Sequence, residues 1–357
     1  MTTSEKIVID EGFCYPSFPI LDNGDVFVCL RFTEPDLSEH ICKYSEIRLI
    51  NIETKIVKWN CSLKDEGDYV TSKPILHKNK YYITTNNYII ALNKNDGSIV
   101  WQIKYKLWIT NINIIDDLIY LCNDKEIKVI NCENGKTIKS KKYRVKWLDS
   151  KVVKHNNRLF VSTSNSKIIE VNIDTLEIEN EFKYSGGWAI ASTPIFTNNL
   201  MLSNSYASYA SCFDLTTNET LWRTNKQVGA EPKQLLDEDN QLFFIVEILQ
   251  VYRLSAITIK NGKKLWTQEY HIQDLKNLND KSIIGLLKNK NGQYFIGIIN
   301  KRDGIIEKEI CSTKYNFDKR FEYRLWKGAE ICVYKEKIII TYSPNEIFII
   351  MNKNNIT

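Results

Sequence analysis

One spacing recurs along this chain more faithfully than anything else in it: a polar residue, four residues to a turn position, then four more to a tryptophan. Asn93, Gly97 and Trp101 define it. Around them Tyr81-Tyr-Ile-Thr-Thr, Tyr88-Ile-Ile-Ala-Leu-Asn and Ser98-Ile-Val-Trp read as three short strands, the last two separated by Lys94-Asn-Asp-Gly. Glycine suits that turn because it reaches φ > 0 without steric cost. The same skeleton aligns Asn51, Lys55 and Trp59; Asn131, Gly135 and Lys139; Asn172, Leu176 and Asn180; Asp214, Asn218 and Trp222; Thr258, Gly262 and Trp266; and Asn300, Gly304 and Lys308. Successive copies start 42, 38, 41, 42, 44 and 42 residues apart. A period of about 40–45 residues with several strands per unit is that of propeller blades, which bury their faces only against one another.

A second element precedes each pair of strands. Ser17-Phe-Pro19-Ile-Leu, Ser72-Lys-Pro74-Ile-Leu and Ser192-Thr-Pro194-Ile-Phe recur, and Ser150-Lys-Val-Val keeps the pattern without proline. An inner strand fits, with proline near its start because proline cannot donate to a ladder. Each unit then has an inner, a second, a third and an outer strand, the outer one bearing the Trp position. After the seventh turn, Lys337-Ile-Ile-Ile-Thr-Tyr and Glu346-Ile-Phe-Ile-Ile-Met-Asn supply a second and a third strand. The missing outer strand is available at the other end, where Lys6-Ile-Val-Ile9 aligns with Ser98-Ile-Val-Trp101. The expectation is an all-β, eight-bladed β-propeller of four-stranded antiparallel blades. It is one domain over residues 1–357, its ring closed by residues 4–10 joining the C-terminal blade. Such closure removes an exposed sheet edge.

The best copies, Ala91-Leu-Asn93-Lys-Asn-Asp-Gly97-Ser-Ile-Val-Trp101 and Ala256-Ile-Thr258-Ile-Lys-Asn-Gly262-Lys-Lys-Leu-Trp266, resemble the blade signature of the pyrroloquinoline-quinone-type (quinoprotein dehydrogenase-like) propeller repeat. That signature reads Ala-x-Asp-x-x-Thr-Gly-x-x-x-Trp, and Cys212-Phe-Asp214-Leu-Thr-Thr217-Asn218-Glu-Thr-Leu-Trp222 keeps its Asp, Thr and Trp. The resemblance implies that Trp59, Trp101, Trp222 and Trp266 dock against neighbouring blades. No Trp-Asp dipeptide and a single Gly-Gly argue against WD40 and kelch repeats.

The resemblance also raises quinone-dependent dehydrogenation, which the residues do not favour. Such enzymes carry adjacent cysteines over the cofactor, and no Cys-Cys occurs here. The compact acidic clusters, Asp116-Asp117 and Asp237-Glu-Asp239, fall between strands, where solvated loop carboxylates are the ordinary case. The four histidines (40, 77, 155, 271) are scattered, and no nucleotide-binding or nucleophile-elbow motif is present. No enzyme activity, cofactor or metal is expected. Nine cysteines without a CxxC pair, behind an N-terminus without signal-peptide character, read as reduced thiols in a cytoplasmic protein. No apolar run approaches the length needed to span a bilayer. A net charge of +5 spread over the chain does not by itself point to nucleic acid.

Four tryptophans remain. Trp108, Trp147 and Trp188 follow their blades' Trp positions by 7, 8 and 8 residues, in equivalent outer-to-inner connections. All such connections emerge on one end of a propeller. Tyr105, Tyr143 and Tyr184 accompany them, each four residues beyond the Trp position, amid Lys104, Lys106, Lys141, Lys142, Arg144, Lys146 and Lys183. Two readings stand: an aromatic and basic recognition arc, since Trp, Tyr and Arg dominate binding hot spots, or inner-strand aromatics packed as core. Trp326 lies in an insertion over 311–327 that mixes aromatics with Lys and Arg. The function expected is a monomeric, non-enzymatic, protein-binding scaffold that uses Trp108, Trp147, Trp188, Tyr105, Tyr143, Tyr184, Arg144 and Trp326. The alternatives are a quinone-dependent dehydrogenase-like enzyme or a cytoplasmic immunity protein that neutralises a toxin.

Overall fold

A computed structural model of the chain describes residues 4–8, 13–33, 42–63, 68–105, 111–123, 125–145, 147–148, 150–165, 167–183, 192–204, 210–224, 234–249, 251–289, 294–312, 330–334, 337–343 and 346–350. Their strands form four-stranded antiparallel sheets in sequential order. Blade 1 spans 13–62, blade 2 75–104, blade 3 111–142, blade 4 153–183, blade 5 195–223, blade 6 234–268 and blade 7 271–312. A further sheet takes Glu330–Tyr334, Lys337–Ser343 and Glu346–Ile350 from the C-terminal end, and Ser4–Val8 from the N-terminal end as its outer strand. The expectation of eight blades is therefore corrected in one respect. Counted as units folded from consecutive strands, the ring has seven blades, not eight, and the remaining four-stranded sheet is a composite of both chain ends. Its edge strand is described over Ser4–Val8, with Ile7 opposite Ile347, and residues 9 and 10 lie outside the described residues. The 311–327 insertion lies outside the described residues beyond Ser312.

The strands are apolar in runs because both faces of every blade are covered. In blade 1, Val26, Val28, Leu30 and Ile50 turn to Ile339 and Ile347 of the composite sheet. The alternate residues Phe27, Cys29, Ile47 and Leu49 turn to Tyr81, Ile83, Ile90 and Leu92 of blade 2. This is period-two alternation with two cores in place of one core and solvent. The inner strands touch round the axis, Asn111–Ile115 lying between Ile75–His77 and Val153–His155. Pro74 and Pro194 immediately precede inner strands, as expected. Pro19 sits within a ten-residue strand, at the register shift between Ser17 and Ile20, where its missing N–H is tolerated.

The recurring serine before the inner strand has a physical purpose too. Ser150 Oγ accepts from the Ser162 N–H at 2.9 Å and Ser192 Oγ from the Asn204 N–H at 3.1 Å, while Thr84 Oγ1 donates to Ser72 Oγ at 2.5 Å. In each case the hydroxyl ties the approach to a blade to the far end of its second strand, which fixes where the inner strand begins.

The turn that defines the repeat closes on itself. The side-chain oxygen of Asn51, Asn93, Asn131, Asn172, Asp214 or Asn300 accepts from the amide two residues on, at 2.7–3.1 Å. Asparagine thus replaces the aspartate of the related blade signature without loss. Every turn position has φ > 0: Lys55 61°, Gly97 70°, Gly135 70°, Leu176 59°, Asn218 61°, Gly262 69° and Gly304 75°. Since lysine, leucine and asparagine all adopt this conformation, φ alone does not explain the glycines.

What explains them is the neighbouring blade. A Cβ on Gly262 would lie 2.6 Å from Trp222 Cδ2, one on Gly304 2.6 Å from Trp266 Cε3, one on Gly97 2.7 Å from Trp59 Cδ2 and one on Gly135 3.0 Å from Trp101 Cδ2. Each of these tryptophans also donates its indole N–H to the carbonyl just past the next blade's polar residue: Trp59 to Lys94, Trp101 to Cys132, Trp222 to Ile259 and Trp266 to Lys301, at 2.6–2.9 Å. Glycine stands wherever a tryptophan arrives, and Lys55, Leu176 and Asn218 stand where none does.

Gly262→Ala should therefore cost clearly more stability than Gly24→Ala. Both have positive φ, but nothing lies within 4 Å of a Cβ at Gly24. The shared cost of a Cβ in the left-handed region is about 1–2 kcal/mol, and overpacking against Trp222 adds about 1–3 kcal/mol. Urea unfolding of the two variants checks this; equal midpoints would refute the steric account.

Candidate functional site

Antiparallel order puts the inner-to-second and third-to-outer turns on one end of the ring, here the turn face. The second-to-third loops and the blade-to-blade links lie on the other, the connection face. The two ends are built differently.

On the turn face, charge is consumed in joining blades. Asp117 in the blade 3 turn accepts from His77 Nε2 at 2.5 Å and Lys78 Nζ at 2.6 Å of blade 2, and Asp116 pairs with Lys154 of blade 4. Hydrogen bonding to Lys78, then to His77, holds the Asp117 carboxyl below the ordinary carboxylate range. Lys80 pairs with Glu133, Lys141 with Glu177, and Lys337 with Glu53 at 3.6 Å. Two further links share one position, the first enclosed and the second partly exposed. Lys301 Nζ lies 2.7 Å from Asp237 Oδ2, their side chains only 5% and 3% exposed, and Lys94 pairs with Asp22 at the corresponding place. Asp22 and Asp237 each end an inner strand, and Lys94 and Lys301 each follow the polar turn residue of the next blade. That second position is apolar in Ile52, Cys132, Ile173, Leu215 and Ile259, where the preceding inner strand does not end in aspartate. Of the two acidic clusters weighed as sites, Asp116, Asp117 and Asp237 are thus ion-paired between blades. Among the described residues no group of three or more His, Cys, Asp or Glu is arranged to hold a metal ion.

Two of the junctions that join blades 1 to 7 lack tryptophan. Lys139 stands at the Trp position of blade 3 and sends its ammonium to the carbonyls of Ile173 and Asp174, at 2.6 and 2.7 Å. The ammonium replaces the indole N–H at the corresponding carbonyl. At Asn180 of blade 4, bulk comes instead from Phe182, which packs with Phe160 and Phe213, ring centroids 6.3 and 5.5 Å away.

The residues singled out as a recognition arc divide on the connection face. Tyr143 is buried against blade 4 and donates its hydroxyl to Leu176 O at 2.8 Å; burial raises its pKa. Tyr105 is half-buried in the blade 2–blade 3 core, with Lys128 Nζ 5.0 Å from its ring centroid, and burial raises its pKa as well. Tyr270, four residues past Trp266 and passed over in the sequence, donates in the same way to Gly304 O at 3.0 Å. That spacing marks an inter-blade bond. Trp147 behaves otherwise. Its backbone is clamped to Ser164, N–H to Oγ at 3.0 Å and C=O from N–H at 3.1 Å, beside the Leu148–Thr163 bridge. Its side chain is 44% exposed. Arg144 is exposed next to buried Tyr143. Trp108, Trp188, Tyr184 and Trp326 lie outside the described residues.

The sequence matches no protein-family model and no curated protein. Solved structures do match in fold. BamB from Moraxella catarrhalis aligns with a TM-score of 0.70 at 12% identity, over 98% of this chain and 100% of that one. Quinohemoprotein alcohol dehydrogenase from Comamonas testosteroni aligns at 0.66 and 10% identity, over 98% of this chain and 76% of that one. The C-terminal WD40 domain of Sif2 aligns at 0.66 and 12% identity, over 98% and 99%. BamB and the dehydrogenase share the pyrroloquinoline-quinone-type propeller fold that the blade signature resembles. At 10–12% identity the likeness is one of fold.

Two outcomes follow from these placements. Lys301→Met leaves the Asp237 carboxylate enclosed without its counter-charge and should destabilise by about 3–5 kcal/mol, whereas Asp237→Leu combined with Lys301→Met should recover most of the loss. Chemical denaturation of the three proteins checks this, and a double variant no better than the single would refute the pairing. Burial also lifts the thiols of Cys122 to about 12, Cys132 to about 11 and Cys212 to about 12. They should resist iodoacetamide near neutral pH in the folded protein and label on unfolding, as peptide mass spectrometry would show.

Proposed function

We propose that the protein is a non-enzymatic scaffold that binds another protein on the connection face of the propeller, around Trp147 and Arg144. The observation that carries this reading is an indole 44% exposed on a backbone held from both sides by Ser164. A large side chain left in water on rigid backbone can gain burial on association at small cost in ordering. The braces do the opposite, with their indole N–H groups already bonded inside the ring. Nine cysteines without a CxxC pair support placement in a reducing, cytoplasmic compartment.

A pull-down from the native host with wild-type bait, compared with Trp147→Ala, tests the reading. The variant should keep its melting temperature and lose the captured protein by about tenfold or more, as for a hot-spot tryptophan. A folded variant that retains its partner in full would place the contact elsewhere. The fold of the quinohemoprotein dehydrogenase supplies the competing reading. Added quinone cofactor and calcium should produce no bound chromophore, and an absorbance band co-eluting with the protein would favour the enzyme.

A further inference from the structure

The junction from blade 4 to blade 5 sets acceptor against acceptor. In blades 2, 5 and 6 a small residue, Ala91, Cys212 or Ala256, stands opposite the brace tryptophan in register. In blade 4 the corresponding pair is Glu170 opposite Asn180. Glu170 also stands opposite Phe160 and in step with Ile168, both of which pack on Met201, Phe213 and Leu215 of blade 5. By the period of a strand its side chain therefore rises towards blade 5. That side chain is only 6% exposed. Oε1 accepts from Arg158 Nη1 at 3.2 Å, while Oε2 is buried and meets no donor among the described residues. Across the junction, Leu215 O corresponds to the carbonyls of Lys94, Cys132, Ile173, Ile259 and Lys301. Those five accept from Trp59, Trp101, Lys139, Trp222 and Trp266. Among the described residues no side chain donates to Leu215 O. Enclosed oxygens left without a donor cost free energy.

We infer that this junction binds a dehydrated monovalent cation of about the size of ammonium, namely potassium, between the Glu170 carboxylate and the carbonyls of Leu215 and Thr216. The precedent lies one blade earlier, where the Lys139 ammonium reaches the corresponding carbonyls of Ile173 and Asp174 at 2.6 and 2.7 Å. Blade 4 supplies no ammonium there and offers a further oxygen ligand instead. Carbonyl oxygens can replace the hydration shell of a potassium ion. The charge count selects a monovalent ion. Arg158 already balances the Glu170 carboxylate, so a divalent ion would leave two enclosed charges uncompensated. A single charge is shared between Oε2 and the carbonyl dipoles. With the ion in place, each junction from blade 1 to blade 7 has a cation or an N–H on this carbonyl. The site is separate from Trp147 and does not depend on what binds there.

The test is thermal unfolding of the full chain in potassium chloride and in tetramethylammonium chloride, each at about 0.2 M so that screening is equal. Tetramethylammonium is too large for the site. The wild type should melt about 2–4 °C higher in potassium. Glu170→Gln keeps the side-chain shape, removes the charge and should abolish the difference. Asn180→Lys tethers an ammonium in the place that Lys139 fills at the preceding junction. It should melt in both salts near the wild type in potassium and no longer distinguish them. Should Glu170→Gln fail to fold, Asn180→Lys decides by itself. Calcium at about 1 mM in the tetramethylammonium buffer should not replace potassium. Equal melting of the wild type in the two salts, a potassium increment retained by either variant, or a larger shift with calcium would each overturn the assignment.

Discussion

The contact on which the ring depends is an indole laid on a peptide turn that has no side chain. At four junctions the tryptophan of one blade covers the turn of the next and donates its N–H to a backbone carbonyl there. A flat ring spreads its area over the turn, and the hydrogen bond fixes its rotation, so each contact sets both spacing and angle between blades. The glycine is the other half of the same contact. Leu176 at a junction without tryptophan shows that a bulky residue is tolerated in that backbone conformation once the indole is gone.

Junctions without the indole keep one of its two properties. Lys139 keeps the donor and gives up the flat ring, while Phe182 and its aromatic neighbours restore bulk without the donor. The buried Lys301–Asp237 pair, echoed at a partly exposed place by Lys94–Asp22, adds a selective link, because Lys301 or Asp237 left alone would be an enclosed, uncompensated charge. Blades built on one strand pattern can bury against the wrong neighbour. Complementary pairs at particular junctions disfavour that, in addition to what they contribute to stability.

Much of this was legible in the residues. Strand number per blade, the turn positions and the closing role of the N-terminal strand followed from a spacing that side-chain periodicity and turn chemistry impose. The contiguous count stops at seven because the composite sheet draws its fourth strand from the opposite end of the chain. Less legible was the partner of each residue in the next blade, since a spacing repeated in every blade says where a side chain starts and not what it meets. The match of tryptophan with glycine one blade later is written in the sequence, as is the match of aspartate with lysine. Both appear only when blades are compared pairwise, each with its successor.

The same limit decides how Tyr143 and Trp147 differ. Both belong to one link between blades, both are aromatic, and basic residues surround both. Tyr143 sits at the offset where Tyr270 also points across its junction, so its ring is consumed by the fold. Trp147 lies beyond that offset, where the backbone is already held by Ser164 and the residue stays 44% exposed. Repetition thus separates the two roles: an aromatic bonded to the next blade at a repeated position belongs to the ring. One that departs from the repeat on a fixed backbone, as Trp147 does, keeps much of its surface in water.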